Sequence, residues 1–330
     1  MKHIKKTVSI LLVVITIFTT FLSIMPVFAA GDLFSIKTFV VESDIQQEMS
    51  SKIVSEVSEL REEYAKHFVC EDGSYVVATY TEPIHYKENG NWKEINNSLE
   101  LTNKVKSNTG KAMYAPKSGP ADVSIPQSFS NDQKISATNK GYTISFGVSS
   151  KDNVNLNEQA TVVRNVEDLS SNQQVNKATI LQKTMTATTV AASEKNQITE
   201  YNNEAMAVKN QSGAIVYEDV FNNADLEYIV TTNSIKENIV IHDKQYNYTY
   251  SFDMNFGELI PIVNEDNSIR VVEPKTEETV FFIAAPYMYD ANGVESTDID
   301  MSLVEEDGIY VNKKQTDGKR DWSEKIKYTG

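Results

Sequence analysis

The stretch YNYTYSFDMNF, from Tyr246 to Phe256, decides the fold class of this chain. Large apolar side chains occupy every second position, and Asn, Thr, Ser and Asp occupy the positions between them. This two-residue period places all the bulky side chains on one face of a β-strand. Such a row is typical of a strand that faces a core. A platform that stacks on sugars, with Tyr248 as a contact, is the alternative interpretation.

Shorter runs of the same period lie on both sides of this stretch. They predict strands over 75–80, 84–87, 92–95, 142–148, 226–230, 269–272, 280–283 and 308–311. Asn89-Gly90 separates two of these runs and predicts a tight hairpin, because both residues tolerate a positive φ. Polar turns are expected over 264–267 and 290–293. Since no helical crossovers separate the runs, the sequence predicts a mainly β fold of antiparallel, sandwich-like domains.

A helical pattern precedes these strands. From Asp44 to Phe68, apolar residues recur every three or four positions, and the opposite face is rich in Glu. Ser43 and Gln46 have the spacing of a capping box. The sequence therefore predicts one amphipathic α-helix, either packed on its own domain or serving as a stalk or coiled-coil partner.

The first thirty residues have the organisation of a secretory signal peptide. A Lys-rich start is followed by an apolar run from Val8 to Ile24, then by Pro26 and the small residues of VFAA. Cleavage is expected after Ala29 or Ala30. An uncleaved membrane anchor is the alternative, because the run is nearly as long as a bilayer span. Cleavage would leave a secreted, extracellular chain with no membrane segment.

Changes in composition suggest a division of the chain. The expected regions are a signal peptide (1–30), a linker with the helix (31–68), a first β-rich region (69–164), a polar and partly irregular connector (165–210), a second sandwich-like region (211–312) and a polar tail (313–330). The connector is rich in Ser, Thr, Asn and Gln, a composition that buries little apolar surface.

Composition and charge exclude several classes of partner. The formal net charge of -15 argues against nucleic acid and against anionic membranes, both of which require clustered Lys and Arg. Cys70 is the only cysteine, so no internal disulfide can form. We expect it to be a small buried hydrophobe rather than a reactive thiol, since no activating neighbourhood is evident.

The sequence contains no motif that predicts a catalytic site. Phosphate-binding glycine motifs and the Gly-x-Ser-x-Gly elbow are absent from the sequence. His67 lies three residues from Cys70, but sequence neighbours rarely form a catalytic pair. The stretch 290–295 resembles the start of a calcium loop, yet its glycine stands at the wrong position, which favours a turn; weak calcium binding stays open. We therefore expect no enzyme, cofactor or metal.

Three blocks of sequence resemble a known family. The first combines YAKHF (64–68), EDGSY (71–75), YTEPIHY (80–86) and NGNWKEINNSL (89–99). The second combines VYEDVF (216–221), ADLEY (224–228) and IKENIV (235–240), and the third is FIAAPYMYDANG (282–293). In order and spacing they resemble the N-terminal region of large Gram-positive wall-associated proteins that carry RHS/YD repeats or DNRLRE domains.

The resemblance implies an exported, β-rich, cell-surface segment without catalytic residues, whose parent proteins carry their activity in distant C-terminal parts. No YD repeat or DNRLRE module is present in this sequence, so we expect a truncated form. The leading hypothesis is a non-catalytic, secreted or wall-associated module that contacts other surface proteins. The alternative is a module that binds cell-wall glycans, with Trp92 and Tyr248 as contacts. Lys236 and Glu237 are expected on a solvated face.

Overall fold

The computed structural model describes most of the chain beyond residue 50. Described are residues 51–106, 110–130, 133–150, 154, 160–163, 179–183, 202, 204–243, 247–290, 294–306, 309–317 and 326–329. They all belong to one compact unit, Val41–Gly330.

The described residues are mostly strands, with one short 3₁₀ helix, Ser58–Leu60, and α-helical residues at 202 and 204–206. The first twelve strands are β1 (Ile53–Glu56), β2 (Ala65–Cys70), β3 (Tyr75–Thr79), β4 (His85–Glu88), β5 (Asn91–Glu94), β6 (Asn96–Lys106), β7 (Ala112–Ser118), β8 (Asp122–Ser124), β9 (Ile135–Asn139), β10 (Tyr142–Val148), β11 (Thr161–Val163) and β12 (Thr179–Lys183). The remaining twelve are β13 (Gly213–Phe221), β14 (Ala224–Val230), β15 (Ile235–Ile241), β16 (Asn247–Asn255), β17 (Ile260–Val263), β18 (Ile269–Val272), β19 (Thr279–Ile283), β20 (Tyr287–Asp290), β21 (Glu295–Ser296), β22 (Asp300–Glu306), β23 (Ile309–Asp317) and β24 (Ile326–Thr329).

Two large antiparallel sheets share the main core. One has six strands in the order β22-β23-β16-β10-β9-β8, and the other has seven in the order β11-β13-β14-β15-β24-β20-β21. Side chains from both sheets meet in one hydrophobic cluster. Phe221 of the second sheet packs edge-on against Tyr250 of the first, with ring centroids 4.8 Å apart. This arrangement is that of an antiparallel sandwich.

Smaller sheets surround this sandwich. A three-stranded sheet, β17-β18-β19, covers a second cluster together with side chains of β10 and β16. A four-stranded sheet, β1-β2-β3-β12, encloses a third cluster with Phe68, Val76 and Tyr80. Strands β4 and β5 pair as a hairpin, as do β6 and β7. The prediction of a mainly β fold with several antiparallel sheets is confirmed.

The alternating stretch between Tyr246 and Phe256 forms strand β16, as its two-residue period predicts. Strand β16 directs Tyr248, Tyr250, Phe252 and Met254 inward, and all four are at most 7% exposed. They lie in the two clusters on that side of the sheet. The core interpretation of this row is therefore confirmed.

The helix predicted over Asp44–Phe68 is wrong from Ile53 onward, and its first residues lie outside the described part of the chain. A helix would bury Leu60 and Tyr64 together with Phe68, but Leu60 is 48% exposed and Tyr64 is 45% exposed. Strand β2 instead pairs on one side with β1 and on the other with β3. Pairing within the sheet outweighs the local helical period, because β2 gains ladder hydrogen bonds on both sides and buries Phe68.

Several strand ladders join segments from different predicted regions. Strand β10 of the expected first region pairs with β16 of the second. Strand β12, from the expected connector, pairs with β3. In the expected polar tail, β24 pairs with both β15 and β20. The ladders therefore connect segments that are far apart in sequence, and the division into regions stays a prediction from composition.

The expected signal peptide, with Ala29 and Ala30, lies outside the described residues. Among the residues that are described, no helix is long and apolar enough to cross a membrane.

Candidate functional site

A concave surface lies beside the β4–β5 hairpin. The hairpin pairs Glu88 with Asn91, so Asn89 and Gly90 form a two-residue turn. Their φ values are 52° and 83°. Positive φ at both positions is the signature of a type I′ turn. The hairpin predicted from Asn89-Gly90 is confirmed, and it places Trp92 two residues beyond the turn.

Trp92 lines a groove of about 800 Å³. The β4–β5 hairpin forms one side of it, and strand β7 with Gly119 forms the other. Its lining residues are Arg61, Tyr86, Glu88, Trp92, Lys93, Glu94, Pro116, Lys117, Ser118 and Gly119. The groove thus combines two aromatic rings with charges of both signs, a mixed lining that suits a polar ligand with apolar faces.

An ion-pair network fixes one wall of the groove. The Arg61 guanidinium donates to both oxygens of Glu56, at 2.6 and 3.0 Å. It also donates to Oε1 of Glu94 at 3.2 Å. Lys66 Nζ donates to the same Glu94 oxygen at 2.9 Å. Two cations and two carboxylates balance within this network, so the wall is preorganised and close to neutral.

The network changes the acidity of its members. The hydrogen bond from Lys66 lowers the pKa of the Glu94 carboxyl, although burial opposes the shift. The hydrogen bond to Glu56 raises the pKa of Arg61. Both shifts favour the charged forms. Glu94 is therefore suited to accepting hydrogen bonds from a ligand and not to donating a proton.

Trp92 is partly exposed, and Lys87 Nζ lies 4.7 Å from the centroid of its ring. A cation at this distance occupies one face of the indole. A sugar ring would therefore have to stack on the other face or displace the lysine. Trp92 is the predicted glycan contact that the structure leaves accessible.

Tyr248, the other predicted glycan contact, is only 1% exposed. Its ring belongs to the main core. A ring buried to this extent offers no face to a sugar, so the structure gives no support to a contact there.

His85 and Cys70 have structural roles. His85 Nδ1 lies 2.6 Å from the carbonyl oxygen of Glu62, at hydrogen-bonding distance. Cys70 is 3% exposed, and burial raises the pKa of its thiol. The expected buried hydrophobe is confirmed. His67 is not directed to Cys70, because its Nε2 lies 3.0 Å from a carboxylate oxygen of Glu62.

A second group of chemically capable side chains lies at one end of the β13–β14–β15 ladder. Asp219, Asp225 and His242 each present one ligand-type atom, and these atoms lie within 4.8 Å of one another. The Nε2 atom of His242 is 2.9 Å from Oδ2 of Asp225, and Nδ1 is 3.8 Å from Oδ1 of Asp219. These three residues are the ones in the described structure that could hold a metal ion.

Sequence reasoning missed this group because its members come from β13, from β14 and from the residue that follows β15. A usable signal was present, however. The turn over 231–234 joins β14 to β15, and the resulting register places Ala224 opposite Ile241 and Asp225 opposite Val240. The same register places Asp225 diagonal to His242 on one face, which is within side-chain reach. The position of Asp219 could not be predicted in this way, because it depends on the bulge in β13.

The stretch that resembles a calcium loop begins in a turn. Oδ1 of Asp290 accepts a hydrogen bond of 3.0 Å from the backbone N–H of Val294. This is the expected turn with an Asx side-chain cap. Residues 291–293 lie outside the described part of the chain.

Comparison with known proteins finds a short relationship. No protein-family model matches the chain, and no solved structure matches it. The tRNA nuclease WapA of Bacillus subtilis strain 168 and the tRNA(Glu)-specific nuclease WapA of Bacillus subtilis subsp. natto are each 35% identical over 83 residues. The tRNA3(Ser)-specific nuclease WapA of Bacillus spizizenii has the same identity over the same length. The chain is thus similar to these nucleases over 25% of its own length and spans about 4% of theirs.

Proposed function

We propose that this chain is a non-catalytic, exported surface module related to the N-terminal region of wall-associated proteins of the RHS/YD-repeat or DNRLRE type. The observation that carries the proposal is the limited extent of the similarity. The shared segment makes up 4% of the WapA nucleases, so most of each nuclease has no counterpart in the match. The antiparallel sandwich and the acidic charge of -15 agree with a dispersed extracellular module.

The nuclease activity named for the relatives would require this chain to bind tRNA. Binding to tRNA requires clustered cations along the phosphate backbone. Two of the three cations that line the groove are paired with carboxylates: Arg61 contacts Glu56 and Glu94, and Lys93 contacts Glu88. Cations neutralised in this way are poorly suited to attract phosphates.

Two measurements test this proposal. The mature chain should be recovered from the culture medium or wall fraction, and its first residue should be Ala30 or Gly31, as cleavage after Ala29 or Ala30 requires. Recovery in the cytoplasm with Met1 retained would contradict export. The purified chain should leave tRNA intact with and without added Mg²⁺ or Zn²⁺. Cleavage that disappears in a His242→Gln variant would contradict the non-catalytic assignment.

The groove supports a second candidate function, binding of cell-wall glycans. Its favourable feature is the partly exposed ring of Trp92 between hydrogen-bonding groups. Glycans combine apolar ring faces with hydroxyl groups, and aromatic rings beside charged groups complement both. Trp92 would provide the stacking face, and Glu94 and Ser118 would accept or donate hydrogen bonds.

A peptidoglycan pull-down separates the two candidates. If the groove binds glycan, Trp92→Ala should lower the bound fraction at least tenfold, because the loss of an aromatic anchor from a binding site costs about 2 kcal/mol or more of binding free energy. Tyr75→Ala is the matched control, because Tyr75 is an aromatic residue that is 54% exposed and lies outside the groove. Equal retention of both variants, or no binding by the unmodified chain, would reject glycan binding at this groove.

A further inference from the structure

We propose that Asp219, Asp225 and His242 form a binding site for a divalent transition-metal ion of the zinc type. The proposal is independent of the function proposed above. It rests on where the fold brings together two carboxylates, from β13 and β14, and the imidazole of the residue that follows β15.

The fold places the three groups by backbone constraints. Asp225 and His242 lie on the same face of the β14–β15 pair, and the backbone N–H of His242 donates to the carbonyl oxygen of Asn223 at 3.1 Å. Asp219 lies in the bulge of β13, with a φ of 51°. Its backbone N–H donates to Oδ1 of Asp225 at 2.8 Å. That hydrogen bond orients the Asp225 carboxylate and leaves Oδ2 directed toward the imidazole.

The distances are close to those of a small coordination sphere. Zinc lies about 2.0–2.2 Å from nitrogen and carboxylate ligands, so two ligands of a tetrahedral ion are about 3.3–3.6 Å apart. The Nε2 atom of His242 and Oδ2 of Asp225 are 2.9 Å apart, so the two atoms must separate by about half an ångström to hold an ion between them. The Asp219 side chain is 73% exposed and can rotate to bring its carboxylate to the same ion. Water would complete the sphere.

The donor set selects the class of ion. Imidazole nitrogen suits zinc, nickel and copper, whereas calcium and magnesium prefer sites made entirely of oxygen ligands. The two carboxylates give the group a negative charge, which a divalent cation balances. Within the described part of the chain, the ion-pair contacts of both carboxylates are made to His242 itself. The two charges are therefore not neutralised by a lysine or arginine salt bridge there.

Zinc binding to the full chain, measured by equilibrium dialysis against a chelator of known affinity, tests the proposal. The expected result is one zinc site that three variants weaken at least about tenfold: Asp219→Asn, Asp225→Asn and His242→Gln. Loss of even an outer-shell partner costs about 10- to 100-fold in metal affinity, and a direct ligand should cost no less. Asn tolerates the left-handed backbone at position 219, so Asp219→Asn removes the charge without straining the bulge.

The matched control is His67→Gln. His67 is also a surface histidine paired with a carboxylate, Glu62 at 3.0 Å, but it belongs to no group of three ligands in the described structure. This variant should bind zinc as the unmodified chain does. An excess of Ca²⁺ or Mg²⁺ should not displace the zinc.

Three results would overturn the proposal. The first is that no zinc binds at about 100 µM free metal, a concentration that fills all but the weakest sites. The others are an equal affinity for zinc in Asp219→Asn and the unmodified chain, and displacement of zinc by calcium. Because Asp219 is exposed, its variant should fold even if His242→Gln does not, and it decides the question alone. Circular dichroism of each variant confirms that the strands are intact.

Discussion

Replacement of Lys314 by Met should destabilise the fold more than any exposed substitution in the same strand. Lys314 lies on β23 of the six-stranded sheet and donates from Nζ to Oε1 of Glu237, at 2.6 Å, on β15 of the seven-stranded sheet. The two residues are 9% and 8% exposed. The hydroxyl of Tyr228 donates to the other Glu237 oxygen at 2.9 Å. This buried pair therefore joins the two sheets of the sandwich.

The magnitude follows from what the substitution leaves behind. Without Lys314, the buried Glu237 carboxylate would keep the hydrogen bond from Tyr228 but lose its counter-ion. Breaking a buried pair by removing one partner costs about 3–5 kcal/mol, a large part of the 5–15 kcal/mol that holds a typical domain folded. The triple variant Lys314→Met, Glu237→Leu and Tyr228→Phe removes the charges and the orphaned hydroxyl together. It should recover most of the loss.

Urea unfolding, followed by circular dichroism, measures these free energies. The matched control is Lys313→Met, since Lys313 is the exposed neighbour on the same strand and faces the opposite side of the sheet. Its effect should stay within about 0.5 kcal/mol. A free energy of unfolding for Lys314→Met within about 1 kcal/mol of the unmodified chain would refute the reasoning, because it would mean that the Glu237 carboxylate is hydrated or protonated.

Three further outcomes are expected. Burial lowers the pKa of His85 below its ordinary value of 6.5, so the unfolded chain binds the proton first as pH falls. The free energy of unfolding should therefore fall as pH drops from 6.5 to the lowered pKa, and then level off. In urea titrations at several pH values, His85→Gln should flatten that slope. Gly213→Ala should cost about 3 kcal/mol or more of stability, because a Cβ there would lie 2.1 Å from the Asn97 carbonyl oxygen. At Gly90 a Cβ would meet open space, so Gly90→Ala should cost only about 1–2 kcal/mol, for its positive φ. Thermal melts that rank the two variants in the opposite order would contradict this. Cys70 should react with a thiol reagent only when the chain unfolds, and a labelling rate equal to that of an unfolded control would show that its burial is wrong.

Local signals were sufficient for the strands and the tight turn. The alternation around Tyr250 predicted β16 and its buried face, and Asn89-Gly90 predicted the β4–β5 hairpin. In both cases the determining physics lies within a few neighbouring residues: side chains alternate across a strand, and two positive φ angles require Asn and Gly. Such features need no knowledge of distant partners.

Features that depend on distant pairing were not predictable from one sequence. The segment around Phe68 has a helical period, yet hydrogen bonds to strands on both sides make it β2. Glu237 was expected on a solvated face, but it is buried because Lys314, 77 residues away, pairs with it. The Asp219–Asp225–His242 group depends in the same way on a bulge and a strand register. Each requires knowledge of which strands become neighbours.

The pairing of β10 with β16 has a kinetic consequence. Val148 lies opposite Phe252, so the 103 residues between them (149–251) must form a closed loop before this ladder is complete. Closing a long loop costs conformational entropy before the stabilising contacts form. Folds dominated by such long-range pairings therefore reach the native state in about milliseconds to seconds. During that interval the row of aromatic side chains on β16 has no partner sheet. Refolding yield should therefore decline as protein concentration rises, since unpaired aromatic strands from different molecules compete for one another.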